Sequence, residues 1–261
     1  MIVTRSLIHG LASAVLAFLV LPILAVLPAS FNRASFIRLP PTEYSLRWYE
    51  RFFQDREWLT SLATSTKVAL LTALIALALG TAAAIGLERL RGRLRGVLTG
   101  LFLAPMIVPV VVTAVALYYV IRPMGLSGTV LGLALGHAVL ALPFVIINVG
   151  VSLRTLDPAL LRAADGLGAS PARVFLTITL PIILPGLIGG AVFALITSFD
   201  ELVVAIFLSG IQAKTLPVKI WEVIRLEFTP VVAVASTVLI AITVALFGAA
   251  RTLGPRERSR P

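Results

Sequence analysis

The sequence predicts an all-α polytopic membrane protein with six transmembrane helices. Composition is the first sign: 59% of the 261 residues are hydrophobic, 13% are charged and the mean hydropathy is +1.02. A soluble domain carries about 25% charge. The second sign is that the charges are bunched, leaving stretches 6–32, 68–87, 96–121, 123–153, 174–199 and 228–250 without Asp, Glu, Lys or Arg. The third is their length. A helix rising 1.5 Å per residue needs roughly 18–20 residues to cross about 30 Å of hydrocarbon, and every stretch is long enough. A β-barrel would alternate over segments of about ten residues, and no such alternation is visible.

Span one is expected at about 7–29. Arg5 and the small residues near Ala29 also suit a cleaved signal peptide, but the apolar run from Leu7 to Leu27 exceeds the 7–15 residues of a typical leader core. A retained helix fits better. The following 31–58 segment is amphipathic and aromatic. Trp48, Tyr49, Phe52, Phe53 and Trp58 suit an external helix lying at the membrane interface, where such rings settle. Span two, about 61–86, is rich in the Ala, Thr and Gly that let helices approach closely in lipid. Span three, about 97–121, holds Pro105 and Pro109. The carbonyls they free are tolerated where protein or a watery path satisfies them, so these prolines mark either a pathway wall or a packing kink. Span four, about 129–151, contains Pro143 and Asn148; spans five and six are expected at about 182–208 and 231–250. The whole chain reads as one transmembrane domain with a core of about 60–250.

Arginines set the orientation. If both termini share a side, that side holds Arg5, Arg89, Arg91, Arg93, Arg95, Arg154, Arg162, Arg173, Arg251, Arg256, Arg258 and Arg260. The other side holds fewer: Arg33, Arg38, Arg47, Arg51, Arg56, Arg122, Lys214, Lys219 and Arg225, with Lys67 near an edge. Both termini are therefore expected in the cytoplasm. Basic loops that orient a membrane protein also explain the net charge of +10 without nucleic acid, for which aromatic and basic residues do not interleave. With no cysteine and two isolated histidines, His9 and His137, no metal site is expected, and no residue set suggests catalysis or a cofactor.

Between spans four and five, residues 153–181 form an expected cytoplasmic loop with sharply punctuated local structure. Asp157 is a good N-cap and Pro158 fits the first helical position. The helix should run through Leu167 to Gly168, placed where a left-handed residue would end it. Leu160, Ala164 and Leu167 should share one face, with Arg162 and Asp165 at i, i+3 elsewhere. Ser170-Pro171 repeats the cap-then-proline start. Ala163, Ala164, Gly168, Ile178, Leu180 and Pro181 stand at the spacing of the Glu-Ala-Ala, Gly, Ile-x-Leu-Pro motif, and here the chain resembles the inner-membrane permeases of type I, binding-protein-dependent ABC importers. That resemblance implies a coupling helix seated on an ATPase, a second similar permease, two ATPase subunits and an extracytoplasmic solute-binding protein. Arg162 stands where the motif has glutamate; it either meets an acidic ATPase residue or pairs with Asp165 in solvent. The chain has no G-x-x-x-x-G-K-[ST] phosphate loop, the device with which such a chain would bind ATP itself.

Asp200 and Glu201 are the acids of span five. They lie about 18 residues beyond Ile182, or about 27 Å along a helix, toward the outer side. A mid-bilayer charge costs roughly 2.5–3.5 kcal/mol, so each calls for a counter-charge such as Lys67 or Lys214, exposure at the helix end, or a cationic solute. "SFDELVVAIFLSG" and "KTLPVKIWEVIRLEFTP" resemble the spermidine/putrescine branch of these permeases, which implies polyamine import. Another amine, an opine, an amino-acid derivative or ferric iron would suit the same fold. An ion-driven carrier is the rival of another class, and commonly has two related halves that this chain does not display.

Overall fold

A computed structural model describes residues 2–226 and 229–253, with side chains from 8 to 226 and 229 to 249. The side chains of Arg5 and Arg251, and all of Arg256, Arg258 and Arg260, lie outside the described set. The described residues are helical nearly throughout: α1 Ile2–Ser30, α2 Arg47–Gln54, α3 Arg56–Arg89, α4 Gly92–Leu103, α5 Val110–Ile121, α6 Val130–Leu153, α7 Pro158–Gly166, α8 Pro171–Val174, α9 Leu180–Asp200, α10 Val203–Leu208, α11 Leu216–Leu226 and α12 Pro230–Leu253. Among the described residues, five continuous helical stretches are long and apolar enough to cross a membrane: Ile8–Ser30, Arg56–Arg89, Val130–Leu153, Pro171–Asp200 and Pro230–Ala249. The bent pair Gly92–Met106 and Val110–Ile121 makes a sixth if counted as one span.

That pair occupies the expected third span, and its two halves meet at 100°. Pro105 lies in a single 3₁₀ turn, Ala104–Met106, and Pro109 precedes the first residue of α5. Pro109 donates no hydrogen bond, but its carbonyl accepts from Val112 and Thr113 at 2.9 and 3.2 Å, so the break costs little backbone bonding. Neither half, at about 18–22 Å, crosses a bilayer alone.

Contacts divide the chain into two units. The first holds residues 1–60 and 219–242. In it the Tyr49 hydroxyl and Ser30 Oγ share a hydrogen bond of 2.7 Å, and Trp48 Nε1 donates to the Ala34 carbonyl at 3.2 Å. Trp48, Phe52 and Trp58 are buried, while Phe53 stays exposed. Three of the rings expected at the membrane interface thus pack within the protein: Trp48 and Phe52 belong to an amphipathic helix only eight residues long that folds back on its own flanks, and Trp58, in the first turn of α3, packs on Phe52 with ring centroids 5.6 Å apart. Lys219 pairs with Glu57 and lies 5.7 Å from the Trp58 ring centroid.

The second unit holds residues 61–218 and 243–261, with α6 at its centre. Small residues set the spacing. A methyl carbon at Gly186 of α9 would lie 2.5 Å from both the Asn148 carbonyl oxygen and Ser152 Oγ of α6; at Gly190 it would meet Val145 Cα at 3.2 Å. On the other side of Val145, Gly80 of α3 is as close, at 2.8 Å to Val145 Cβ. Ile183, Ala194, Val145 and Val149 fill the apolar cluster around this seam. A second cluster gathers Val68, Ala114, Leu133, Ala134, Val204 and Leu208, tying α10 to α5 and α6.

A side chain at Gly186 must push a backbone carbonyl, which cannot swing aside. Overpacking of this kind costs about 1–3 kcal/mol. Gly186→Leu should therefore lower the yield of monodisperse protein in detergent chromatography. Gly150→Ala, on α6 where an added carbon meets nothing within 4 Å, should match the parent chain.

Candidate functional site

The segment between α6 and α9 is built as its sequence demands. Asp157 Oδ1 accepts from the Ala159 N–H at 2.8 Å, and Pro158 opens α7. The far end closes with the paired bonds of a Schellman turn: Gly168 N–H to the Asp165 carbonyl at 2.9 Å and Ala169 N–H to the Ala164 carbonyl at 3.0 Å. Gly168 has φ 74°, a left-handed conformation in which a Cβ is strained. The Ser170 hydroxyl then accepts from the Arg173 N–H at 3.4 Å and begins α8.

Two details differ from the sequence-based expectation. First, Ala164 is buried, but Leu160 is 47% and Leu167 88% exposed. Ala164 alone of α7 is buried among the described residues, and Pro158, Leu161 and Asp165 line an open cavity of about 650 Å³ with Ile85, Arg89 and Arg154. Leu167 is the residue that leaves the helix at the turn, and it points away. Second, the spanning helix begins earlier than the expected 182, inside the stretch expected as a loop. The chain is helical from Pro171 to Asp200, through a widened π turn at Phe175–Thr179. Pro181 has no N–H for the Thr177 carbonyl and its ring would strike it; the wider turn absorbs the conflict. Ile178, Leu180 and Pro181 therefore belong to the start of the spanning helix.

Arg162, Ala163, Asp165 and Gly168 are all exposed. No ion pair joins Arg162 to Asp165 among the described residues. The exposed face of α7 thus offers an unneutralised arginine.

At the other end of α9 the two acids part company. Asp200 ends the helix and is exposed, whereas Glu201 is half-buried and its Oε1 accepts from the Val204 N–H at 2.8 Å. Glu201 thereby caps the first turn of α10 across the break at residues 201–202. Lys67 is exposed and forms no ion pair with Asp200 among the described residues, so of the counter-charges expected as alternatives Lys67 is not the one used.

A buried polar chain was missed in the sequence. His137 Nδ1 and Ser198 Oγ are 2.9 Å apart, Ser198 Oγ donates to Thr72 Oγ1 at 3.3 Å, and Thr72 donates to the Ala134 carbonyl at 3.3 Å. The direction follows by elimination. The Ala134 carbonyl only accepts, so the Thr72 proton goes there, the Ser198 proton goes to Thr72, and Ser198 must accept from His137 Nδ1–H. Nε2 then carries the lone pair, and it is buried without a partner among the described residues.

The segment between α6 and α9 is thus a capped, outward-facing helix between two long spans. The family model described as "Binding-protein-dependent transport system inner membrane component" matches residues 53–259. The chain belongs to this family. It is the permease subunit of an ABC importer, a multi-pass inner-membrane protein that carries solute without chemical catalysis. The spermidine/putrescine transport system permease protein PotC of Haemophilus influenzae is 32% identical over 89% of this chain and 90% of its own length. The putrescine transport system permease protein PotI of Escherichia coli is 32% identical over 93% and 89%. Among solved structures, a chain of the MetNI methionine ABC transporter superimposes with a TM-score of 0.64 at 17% identity, covering 77% of this chain and 100% of that one. Such identity supports the type I fold and nothing finer.

In this permease, Gly168→Val should strain the turn without meeting any neighbour, since a Cβ there finds open space. The left-handed conformation costs an ordinary L residue about 1–2 kcal/mol. Amide exchange at residues 164–170 should accelerate in that variant and remain near parental in Gly168→Asn, because asparagine tolerates the conformation. Ser198→Ala leaves the His137 N–H and the Thr72 acceptor unpaired. It should destabilise the protein by about 1 kcal/mol, read as a lowered unfolding midpoint in detergent.

Proposed function

We propose that the imported solute is a polyamine of the putrescine or spermidine class. The observation that carries this reading is the matching of two polyamine permeases over about nine-tenths of this chain. The chemistry of the site supports it. Asp200 is an exposed carboxylate at the end of a spanning helix, and a polyamine presents ammonium groups that an anionic station attracts. Glu201 already serves a backbone N–H, which leaves Asp200 as the freer of the two. Pro105 and Pro109 belong to the same reading, as the break that shapes a pathway wall.

The rest of the machine follows from family membership. This permease pairs with a second, homologous permease; two ATPase subunits supply the energy and an extracytoplasmic solute-binding protein delivers the cargo. Residues 153–181 and both termini face the cytoplasm. Arg162, Ala163, Ala164, Asp165 and Gly168 form the ATPase contact, and Ile178, Leu180 and Pro181 join it to α9. The exposed, unpaired Arg162 calls for an acidic residue in the ATPase groove.

Uptake of labelled putrescine and spermidine by cells carrying the complete importer tests the cargo. Polyamine uptake that needs ATP hydrolysis is expected, and Asp200→Asn should raise the half-saturating concentration about ten-fold, equivalent to about 1.4 kcal/mol. Uptake of an unrelated solute with no response to polyamines would overturn the assignment.

A further inference from the structure

We propose that the lateral groove between α3, α4 and α6 binds one anionic phospholipid, with an acyl chain along its apolar wall and the phosphate at Arg154 and Arg95. The groove has a volume of about 640 Å³. Its wall is made by Ala84, Leu87, Leu103, Ile146, Ile147 and Val151. Polar groups gather at one end: Arg95, Thr99, Arg154 and Glu88. Glu88 is already neutralised, because Arg95 Nη2 donates to its Oε2 at 2.6 Å. A guanidinium has five N–H donors in a fork, so Arg95 keeps donors for a second acceptor. Arg154 is exposed and its side chain has no described partner. The end of the groove therefore has cationic capacity to spare, beside helices apolar enough to lie in lipid.

The shape favours a lipid over a protein segment. A helix with side chains is 10–12 Å across, a cross-section of at least about 80 Å². The groove would hold only about 8 Å of it, about one and a half turns. An acyl chain is one methylene wide and gains about 0.8 kcal/mol for each buried CH₂. Charge selects the headgroup: a lysine or arginine near an anionic surface contributes about 1 kcal/mol, and a zwitterionic headgroup would add its own cation beside Arg154.

Arg154 also lines the cavity under α7, shared with Pro158, Leu161 and Asp165. A phosphate held at Arg154 would thus stand at the junction between the groove and the capped helix. Lipid composition would act on the position of that helix through a residue that touches both.

The test uses the assembled importer in nanodiscs containing a photoreactive phosphatidylglycerol, compared with a photoreactive phosphatidylcholine. Crosslinks should fall within 84–103 and 146–154 and favour phosphatidylglycerol. Arg154→Gln should lower that preference about five-fold, the factor expected for one arginine near the surface. Arg122→Gln, whose guanidinium lies over Tyr118, should leave the preference unchanged. Gly150 lines the groove and has open space around it, so Gly150→Phe should fill the groove and abolish both crosslinks. Gly150→Leu is the milder form should the larger variant fail to assemble. Equal retention of both lipids, crosslinks confined to other segments, covering of the groove by a partner subunit, or displacement by soluble glycerophosphoglycerol as effective as by intact lipid would each overturn the proposal. None of these measurements involves cargo, so their failure leaves the polyamine reading untouched.

Discussion

The close approach of α6 and α9 is the constraint on which the rest of the second unit depends. In lipid the hydrophobic effect offers no preference for helix over acyl chain, so association depends on van der Waals contact and interhelical hydrogen bonds. Gly186 and Gly190 remove the side chains that would hold the two backbones apart, and Gly80 does the same for α3 against Val145. One valine is therefore gripped between two helices. With three helices at that spacing, Thr72, His137 and Ser198 come within hydrogen-bonding reach. Their chain could not form if any one helix stood a methyl group further off. The apolar seam comes first and the polar chain is its consequence.

The same logic explains why two of the expected spans are broken. Backbone groups at a break need partners inside the bilayer. At Pro109 the following turn of α5 provides them; at residues 201–202 the carboxylate of Glu201 does, by accepting the Val204 N–H. A charge that is costly in an apolar helix is thus explained in part as a cap. Asp200, one residue earlier and exposed, has no such duty. Two adjacent carboxylates that look equivalent in the sequence are separated by which of them faces the free N–H.

What could be read from the sequence is what depends on local chemistry. Asp157-Pro158, Gly168 and Ser170-Pro171 specify caps through neighbouring atoms, and the structure places each accordingly. The long apolar stretches were legible because span length is a property of one helix in lipid. Other features depend on contacts distant in the chain. The burial of Trp48, Phe52 and Trp58 and the polar chain from residue 72 to 198 are of this kind. Helical periodicity put Leu167 on the face of Leu160 and Ala164, but it sits where the helix has already ended, and periodicity ends with the helix. The π turn was legible in principle: a proline seven residues after Val174 cannot continue a helix without displacing the carbonyl four residues before it.

On the proposed reading, α7 must pass a displacement to the far side of the membrane, and the covalent geometry says how. The turn at Gly168 leads within two residues to the Ser170 cap, and from Pro171 the backbone is helical for 30 residues to Asp200. At 1.5 Å per residue that is about 45 Å, longer than the hydrocarbon is thick. The turn that α7 moves and the carboxylate proposed to meet the cargo are thus opposite ends of one helix. Such a helix transmits tilt well and local distortion poorly, so a push at its base arrives as a lateral shift at its tip. The one departure from α-helical hydrogen bonding along it, the π turn at 175–179, lies next to the base. The helix is then gripped at its middle by α6, and that grip is what turns a displacement at one end into an opposite displacement at the other.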